Sequence, residues 1–242
     1  MKAVFKREFY GCLRSAQGIC IMTIYLLLSG LLFTVYNISY SYPNVEVVYS
    51  FIALPLTALV AVMGFTAFTV ETKKGTDIFL SMLPISTSDV LVGKYLARLA
   101  FFMIPTAVTV IYPVILDSMG EVGYVGCYSM LFALCLYQAF VLALGMAVSS
   151  FCKKTLTSGV ISISVLAVTF ILPYVPIWLS GVASDEWLSV LTIGVAFLCP
   201  YSQFDYFSIG IFDLRKIVWF VSFTAALLFC AWLGLKRRSQ TR

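Results

Sequence analysis

Residues 122–152 read VGYVGCYSMLFALCLYQAFVLALGMAVSSFC and carry no charged side chain. A helix needs about 20 apolar residues to cross the hydrocarbon core of a bilayer, and this stretch is longer than that. A soluble domain offers no apolar environment of matching thickness. The stretch therefore predicts a membrane-spanning helix, and it decides the fold class of the chain.

The same pattern recurs on both sides of this stretch. Five more long uncharged windows lie between Arg14 and Glu46, Glu46 and Glu71, Arg98 and Asp117, Lys154 and Asp185, and Lys216 and Lys236. A further window, between Glu186 and Asp205, has an apolar part that ends at Pro200 and is too short to span. We therefore predict an all-α integral membrane protein with six spans, near residues 18–39, 48–70, 97–116, 124–150, 156–179 and 217–235.

Composition excludes several classes of protein. The chain has 242 residues, of which 61% are hydrophobic and 11% are charged, whereas an average soluble domain is about 25% charged. This excludes a soluble globular enzyme, a disordered chain and a nucleic-acid-binding module. Seven cysteines without a C-x-x-C pair, and no histidine, indicate neither a disulfide framework nor a metal site.

The distribution of basic residues predicts the topology. With six spans and a cytoplasmic N-terminus, 14 Lys and Arg residues lie inside and only two, Arg215 and Lys216, lie outside. With a seventh span, 12 Lys and Arg residues would lie inside and four outside. The positive-inside rule therefore favours six spans in the cell membrane with both termini in the cytoplasm. We expect the cell to be bacterial.

The first 17 residues predict an amphipathic helix. Phe5, Phe9 and Leu13 share one face, and the basic residues Lys2, Lys6, Arg7 and Arg14 are available to the polar side. Such a helix lies in the headgroup plane with its cations toward anionic lipid. The alternative is a simple basic anchor for the first span.

The segment between spans 2 and 3, residues 71–94, is more than a linker. Gly75 and Pro84 bracket a short apolar helix, and Ser86 with Asp89 forms a capping box that begins the next helix. The apolar side chains of the short helix are Ile78, Phe79, Met82 and Leu83. They require a surface to bury against, which is either the protein's own membrane face or a partner protein.

Two other segments have a recognisable character. Residues 185–216 are rich in aromatic residues, Pro and Gly, which predicts a re-entrant segment or a folded cap on the outer membrane surface. Span 4 carries small residues that allow close helix approach, namely Ala139, Ala143, Gly145 and Ala147. Gln138 in the same span predicts a hydrogen bond between helices more readily than a substrate ligand.

Chemistry that other membrane proteins need is missing from the sequence. No ionisable residue sits at the middle of a predicted span, which argues against an ion-driven carrier. No Walker sequence occurs, since the only Gly-Lys pair, Gly93-Lys94, is followed by Tyr95. If the protein transports actively, its energy comes from another chain.

These features together resemble the permease subunits of the type-2 ABC export (ABC-2) family. The N-terminal helix begins MKAVFKREF, and Glu71 is followed by Lys-Lys-Gly-Thr and then by Leu80-x-x-Leu83-Pro84-Ile85-Ser86. Span 4 closes with Gly145 to Ser150 and Lys153-Lys154. The outer segment is similar to the gliding-motility-type branch of the family, in the pattern formed by Pro200, Phe204, Phe207, Gly210 and Asp213.

The resemblance implies a fold and a set of roles. The N-terminal helix would be an elbow helix, and the segment between spans 2 and 3 would carry a coupling helix that docks a separate ATPase subunit. The residues assigned to that contact are Glu71, Lys73, Lys74, Gly75, Thr76, Asp77, Ile78, Phe79, Met82 and Leu83. Two permease chains, identical or related, would form the pathway, with ATP and Mg bound by the ATPase and no cofactor bound here.

Two other classes share part of this pattern. A six-helix scaffold or channel without an ATPase would show the same hydropathy and charge bias, but it would not need the apolar segment between Gly75 and Pro84. An intramembrane enzyme would need catalytic residues that the spans lack. The residues do not choose among peptides, lantibiotics, lipids, glycans and drugs as the substrate.

Overall fold

The computed structural model describes residues 2–40, 44–75, 86–117, 123–175, 178, 192–195, 197–210 and 212–240. Helices dominate this part of the chain, and no strand occurs in it. The helices are α1 (Lys2–Arg14), α2 (Ala16–Phe33), α3 (Val45–Lys74), α4 (Thr87–Thr109), α5 (Tyr112–Asp117), α6 (Tyr124–Phe151), α7 (Thr155–Ile171), α8 (Pro200–Asp205) and α9 (Leu214–Gln240). A π-helical segment, Thr34–Ser39, extends α2, and 3₁₀ turns follow α7 (Leu172–Tyr174) and α8 (Tyr206–Ile209).

Six segments within the described residues are long and apolar enough to cross a membrane. They are Ala16–Ser39, Val45–Lys73, Thr87–Asp117, Tyr124–Phe151, Thr155–Tyr174 and Leu214–Arg238. They correspond in order to the six predicted spans, so the prediction of an all-α protein with six membrane helices is confirmed.

The helices continue beyond the charge-free windows, most clearly around the segment between spans 2 and 3. The α3 helix ends where Gly75 adopts a left-handed conformation with φ of 68°, which glycine accepts without a steric penalty. The α4 helix begins at Thr87, because the Ser86 hydroxyl accepts a hydrogen bond from the Asp89 amide at 3.1 Å. The Ser86 cap of the predicted capping box is therefore present, and the described parts of the segment are helical at residues 71–74 and 87–94.

The α6 helix lies at the centre of the bundle and packs against α3 and α9. Its contact with α3 is unusually close at Gly64 and Gly145, where a Cβ atom on Gly64 would lie 2.9 Å from the Gly145 Cα. Close backbone approach through small residues drives association of helices in lipid, where apolar burial contributes little.

Replacing Gly145 with Ala is expected to destabilise the protein by about 1–3 kcal/mol, because the added methyl group overpacks a contact between two backbones. Gly30 provides the matched control, since a Cβ atom there meets no atom within 4 Å. Thermal unfolding of the two purified variants measures the difference. Equal stability of Gly145→Ala and Gly30→Ala would contradict the close packing of α3 against α6.

Hydrogen bonds between side chains also join the membrane helices. The Gln138 amide donates to the Thr106 hydroxyl at 3.0 Å, and that hydroxyl lies 3.3 Å from the Tyr25 hydroxyl. A second contact joins the Thr57 and Tyr137 hydroxyls at 3.0 Å. Buried polar groups in lipid need such partners, and the predicted interhelical role of Gln138 is confirmed.

Candidate functional site

The candidate site lies at the end of the bundle where α3 ends and α4 begins. Lys94, two turns into α4, is completely buried. Its ammonium group forms an ion pair with Glu71, in the last turn of α3. It also lies 3.4 Å from the Ala67 carbonyl oxygen and 5.1 Å from the centre of the Phe68 ring. The pair therefore joins the two helices on either side of residues 76–85.

Arg98 extends this contact by one helical turn. Its guanidinium donates to the Met63 carbonyl oxygen at 2.5 Å and to the Ala67 carbonyl oxygen at 3.4 Å. Only 8% of the residue is exposed. The spacing of Lys94 and Arg98 places both cations on one face of α4, and that face is turned toward α3.

The α1 helix is held by the same charges. The Glu8 carboxylate forms an ion pair with the Arg98 guanidinium at 3.9 Å. The Arg7 guanidinium lies 3.5 Å from the Glu8 carboxylate and 3.8 Å from the Glu71 carboxylate. We call Arg7, Glu8, Glu71, Lys94 and Arg98 the charge network. It links the N-terminal helix to both helices that flank the connection.

The charge network has an energetic consequence. A buried ion pair contributes little net stability compared with an apolar pair of the same size, but removing one partner typically costs about 3–5 kcal/mol, because the other charge is left uncompensated. Lys94 is fully buried, so the carboxylates of Glu71 and Glu8 make its burial tolerable. The relative position of α3 and α4 is consequently fixed at this end.

Arg238 ties a further helix to this end of the bundle. From the end of α9 its guanidinium donates to the Thr72 hydroxyl at 3.2 Å and to the Ser149 carbonyl oxygen at 3.1 Å, and it also contacts the Cys152 carbonyl oxygen. Thr72 is in the last turn of α3, and Ser149 is in the last turn of α6. The ends of α3, α6 and α9 are therefore held together next to the charge network.

The residues predicted to contact an ATPase divide into two groups. Glu71, Lys73 and Gly75 lie at the end of α3, and Lys74 is the last residue of that helix. The others lie outside the described residues: Thr76, Asp77, Ile78, Phe79, Met82 and Leu83. Their assignment stays a prediction.

The predicted N-terminal helix is present as α1, separated from α2 by Ser15. Lys2, Lys6 and Arg7 are exposed, whereas Phe5, Phe9 and Leu13 are half-buried. Phe5 and Phe9 stack with ring centres 5.8 Å apart. In α6, Ala143, Gly145 and Ala147 are buried and Ala139 is half-buried.

Three members of the charge network were not predicted as site residues: Glu8, Lys94 and Arg98. From the sequence, Lys94 and Arg98 were counted among the cytoplasmic cations, but both are buried where α4 packs against its neighbours. The capping box at Ser86 could have indicated their burial, because a helix that begins there puts Lys94 and Arg98 on one face of an apolar stretch.

The described part of the predicted outer segment packs deep into the bundle. Phe204 and Phe207 are buried, and the Phe204 ring lies 5.3 Å from the ring of Tyr137, halfway along α6. Gly210 has a φ of 78°, and a Cβ atom on it would lie 3.3 Å from the Gly126 Cα. Pro200 is buried at the start of α8, and the Asp213 carboxylate accepts a hydrogen bond from the Arg215 amide. This depth is typical of a re-entrant segment.

The sequence matches one protein-family model, whose description is ABC-2 family transporter protein, over residues 2–235. The match includes α1, the charge network and the outer segment. No curated protein matches the sequence.

Proposed function

The chain belongs to the ABC-2 family of transporters, and we propose that it is driven by a separate ATPase subunit that docks on the connection between α3 and α4. The family and the six membrane helices make the chain a membrane-spanning permease subunit. In the proposed complex, two permease chains form the pathway, and ATP with Mg is bound by the ATPase.

The charge network is the observation that supports this coupling. A domain that pushes on residues 76–85 can transmit a rigid-body movement only if both ends of the connection are fixed to the same body. The Glu71–Lys94 pair fixes the two ends to each other, and the Arg98–Glu8 pair adds α1. Force applied at the connection would therefore reach α1, α3 and α4 together.

Transport by this permease is expected to depend on ATP and not on a proton or sodium gradient. The two buried cations of α4 are held by carboxylates at one end of the bundle, whereas coupling charges in carriers face a pathway inside the membrane. The test uses vesicles that contain the permease and its ATPase, with ionophores added to remove ion gradients. ATP hydrolysis and substrate export are measured, and both are expected to continue. Flux that requires a gradient and proceeds without ATP would overturn the proposal.

Both termini are expected on the cytoplasmic side of the cell membrane, with residues 185–216 outside. This expectation is based on the distribution of Lys and Arg, with 14 on the predicted inside and two on the predicted outside. Single cysteines introduced at residues 190 and 240 of a cysteine-free variant can be labelled with an impermeant reagent in intact cells. Labelling at residue 190 alone is expected, and labelling at residue 240 alone would contradict this topology.

A further inference from the structure

The packing of α1 leaves its polar side facing outward. The helix packs mainly against α4. Val4 and Cys12 are buried, and Phe9 and Leu13 pack against the hydrophobic core. The apolar side of α1 is therefore occupied by the protein itself, and contact between α1 and the bilayer is left to the opposite side of the helix.

The outward side of α1 carries two cations with an aromatic residue between them. Lys6, Tyr10 and Arg14 follow each other at intervals of four residues, and all three are exposed. With the small residues Ala3 and Gly11 they line one shallow depression. The Arg14 guanidinium lies 5.8 Å from the centre of the Tyr10 ring. We call Lys6, Tyr10 and Arg14 the cationic face.

The charge of the cationic face is not neutralised by the protein. Glu8 is the only acidic residue of α1, and its side chain, 13% exposed, is paired with Arg98 and Arg7. Neither Lys6 nor Arg14 forms an ion pair among the residues that the structure describes. Both are therefore available to an anionic partner, whereas Arg7 already belongs to the charge network.

The contacts of α1 indicate its depth in the membrane. Arg14 is the last charge before the uncharged window of span 1, Arg98 is the last before that of span 3, and Glu71 ends that of span 2. Glu8 pairs with Arg98, and Arg7 pairs with Glu71. The helix therefore lies along the plane in which three charge-free windows begin or end, and this is the level of the lipid headgroups.

We propose that the cationic face of α1 binds the headgroups of anionic phospholipids. Lys6 and Arg14 are eight residues apart, about 12 Å along a helix, so each can donate to the phosphate of a separate lipid. Tyr10 lies between them with the exposure that aromatic side chains have at membrane interfaces. A choline headgroup brings its own positive charge toward these cations, so lipids with a net negative charge are preferred. The proposal requires only that the chain lies in a bilayer, so it is independent of the ATPase.

The test identifies the lipid that lies next to the cationic face. A photoreactive residue replaces Gly11, where a Cβ atom meets no atom within 4 Å. The full-length permease is reconstituted without an ATPase in vesicles of equal parts phosphatidylglycerol and phosphatidylcholine, and mass spectrometry measures the crosslinked lipids. Each cation contributes about fivefold, so phosphatidylglycerol is expected to exceed phosphatidylcholine about 25-fold. This ratio is expected to fall at high salt, which screens exposed charges.

Three double variants locate the site. Lys6→Gln with Arg14→Gln is expected to bring the ratio of the two crosslinked lipids close to one. Lys153→Gln with Lys154→Gln is the matched control, because it removes the same charge from two exposed cations between α6 and α7, and it is expected to keep the ratio. Lys6→Arg with Arg14→Lys preserves both charges and is also expected to keep the ratio.

Four outcomes overturn the proposal. Equal crosslinking of the two lipids by the wild-type face shows that no anionic headgroup is selected. An unchanged ratio in Lys6→Gln with Arg14→Gln places the selection elsewhere. An equal fall in Lys153→Gln with Lys154→Gln shows an effect of overall charge alone. Crosslinking from residue 11 to the ATPase in whole cells, with no crosslinked lipid, shows that the face docks a protein.

Discussion

Changing Phe79 and Leu83 together to Ser is expected to release the ATPase from the permease while the permease remains folded in the membrane. Both residues lie between predicted spans 2 and 3 in the sequence, so insertion is not expected to depend on them. In the proposed complex both side chains are buried by the ATPase, and each contributes roughly 1.5–3 kcal/mol. Since each 1.4 kcal/mol changes affinity about tenfold, the pair decides whether the complex survives purification.

The measurement is co-purification of the ATPase with a tagged permease, together with ATP hydrolysis stimulated by substrate. Phe151 and Leu156 provide a control, because they are an exposed Phe at the end of α6 and an exposed Leu at the start of α7. Their double replacement with Ser is expected to retain the ATPase. If the Phe79 and Leu83 variant is well expressed and keeps the ATPase at full stoichiometry, the coupling assignment is wrong.

Replacing Glu71 with Gln is expected to destabilise the permease by about 3–5 kcal/mol, because it leaves the buried Lys94 without the carboxylate that is ion-paired with it. Replacing both residues, as Glu71→Gln with Lys94→Met, removes the buried charge as well as its partner. The double variant is therefore expected to recover most of the lost stability.

Thermal unfolding of the purified variants in detergent separates these effects. Arg7→Gln is the control, since the Arg7 side chain is 62% exposed and exposed ion pairs contribute about 1 kcal/mol or less. A Glu71→Gln variant as stable as Arg7→Gln, or a double variant less stable than Glu71→Gln, would contradict the account of the charge network.

The membrane helices were predictable from the sequence because a bilayer imposes its constraint locally. Any segment such as residues 122–152 must bury its apolar surface in lipid and pair its backbone groups within the helix, whatever its neighbours are. The capping box at Ser86 and Asp89 was readable for the same reason, since all of its partners lie within four residues.

The charge network was not predictable in this way, because its contacts join residues far apart in the chain. Glu8 meets Arg98 only when α1 folds back along α4, and Glu71 meets Lys94 only when α3 and α4 pack side by side. The sequence shows a cation near the start of a helix, which is most often solvated. Only the packing of three helices shows that Lys94 is buried.

The position of the outer segment was also not predictable from local sequence. Its aromatic residues were equally compatible with a cap on the membrane surface and with a segment that enters the bundle. The contact between Phe204 and Tyr137, at the middle of α6, favours entry. That distinction depends on the space left among α3, α6 and α7, which no local pattern encodes.

The most direct test of the central claim is the composition and activity of the wild-type complex. The tagged permease, co-expressed with the ATPase that accompanies it in its cell, is purified from membranes in mild detergent, and both subunit stoichiometry and ATP hydrolysis are measured. We predict equimolar permease and ATPase, with hydrolysis faster in the complex than in the isolated ATPase. A folded permease that purifies without any ATPase and supports flux in vesicles without ATP would contradict the account.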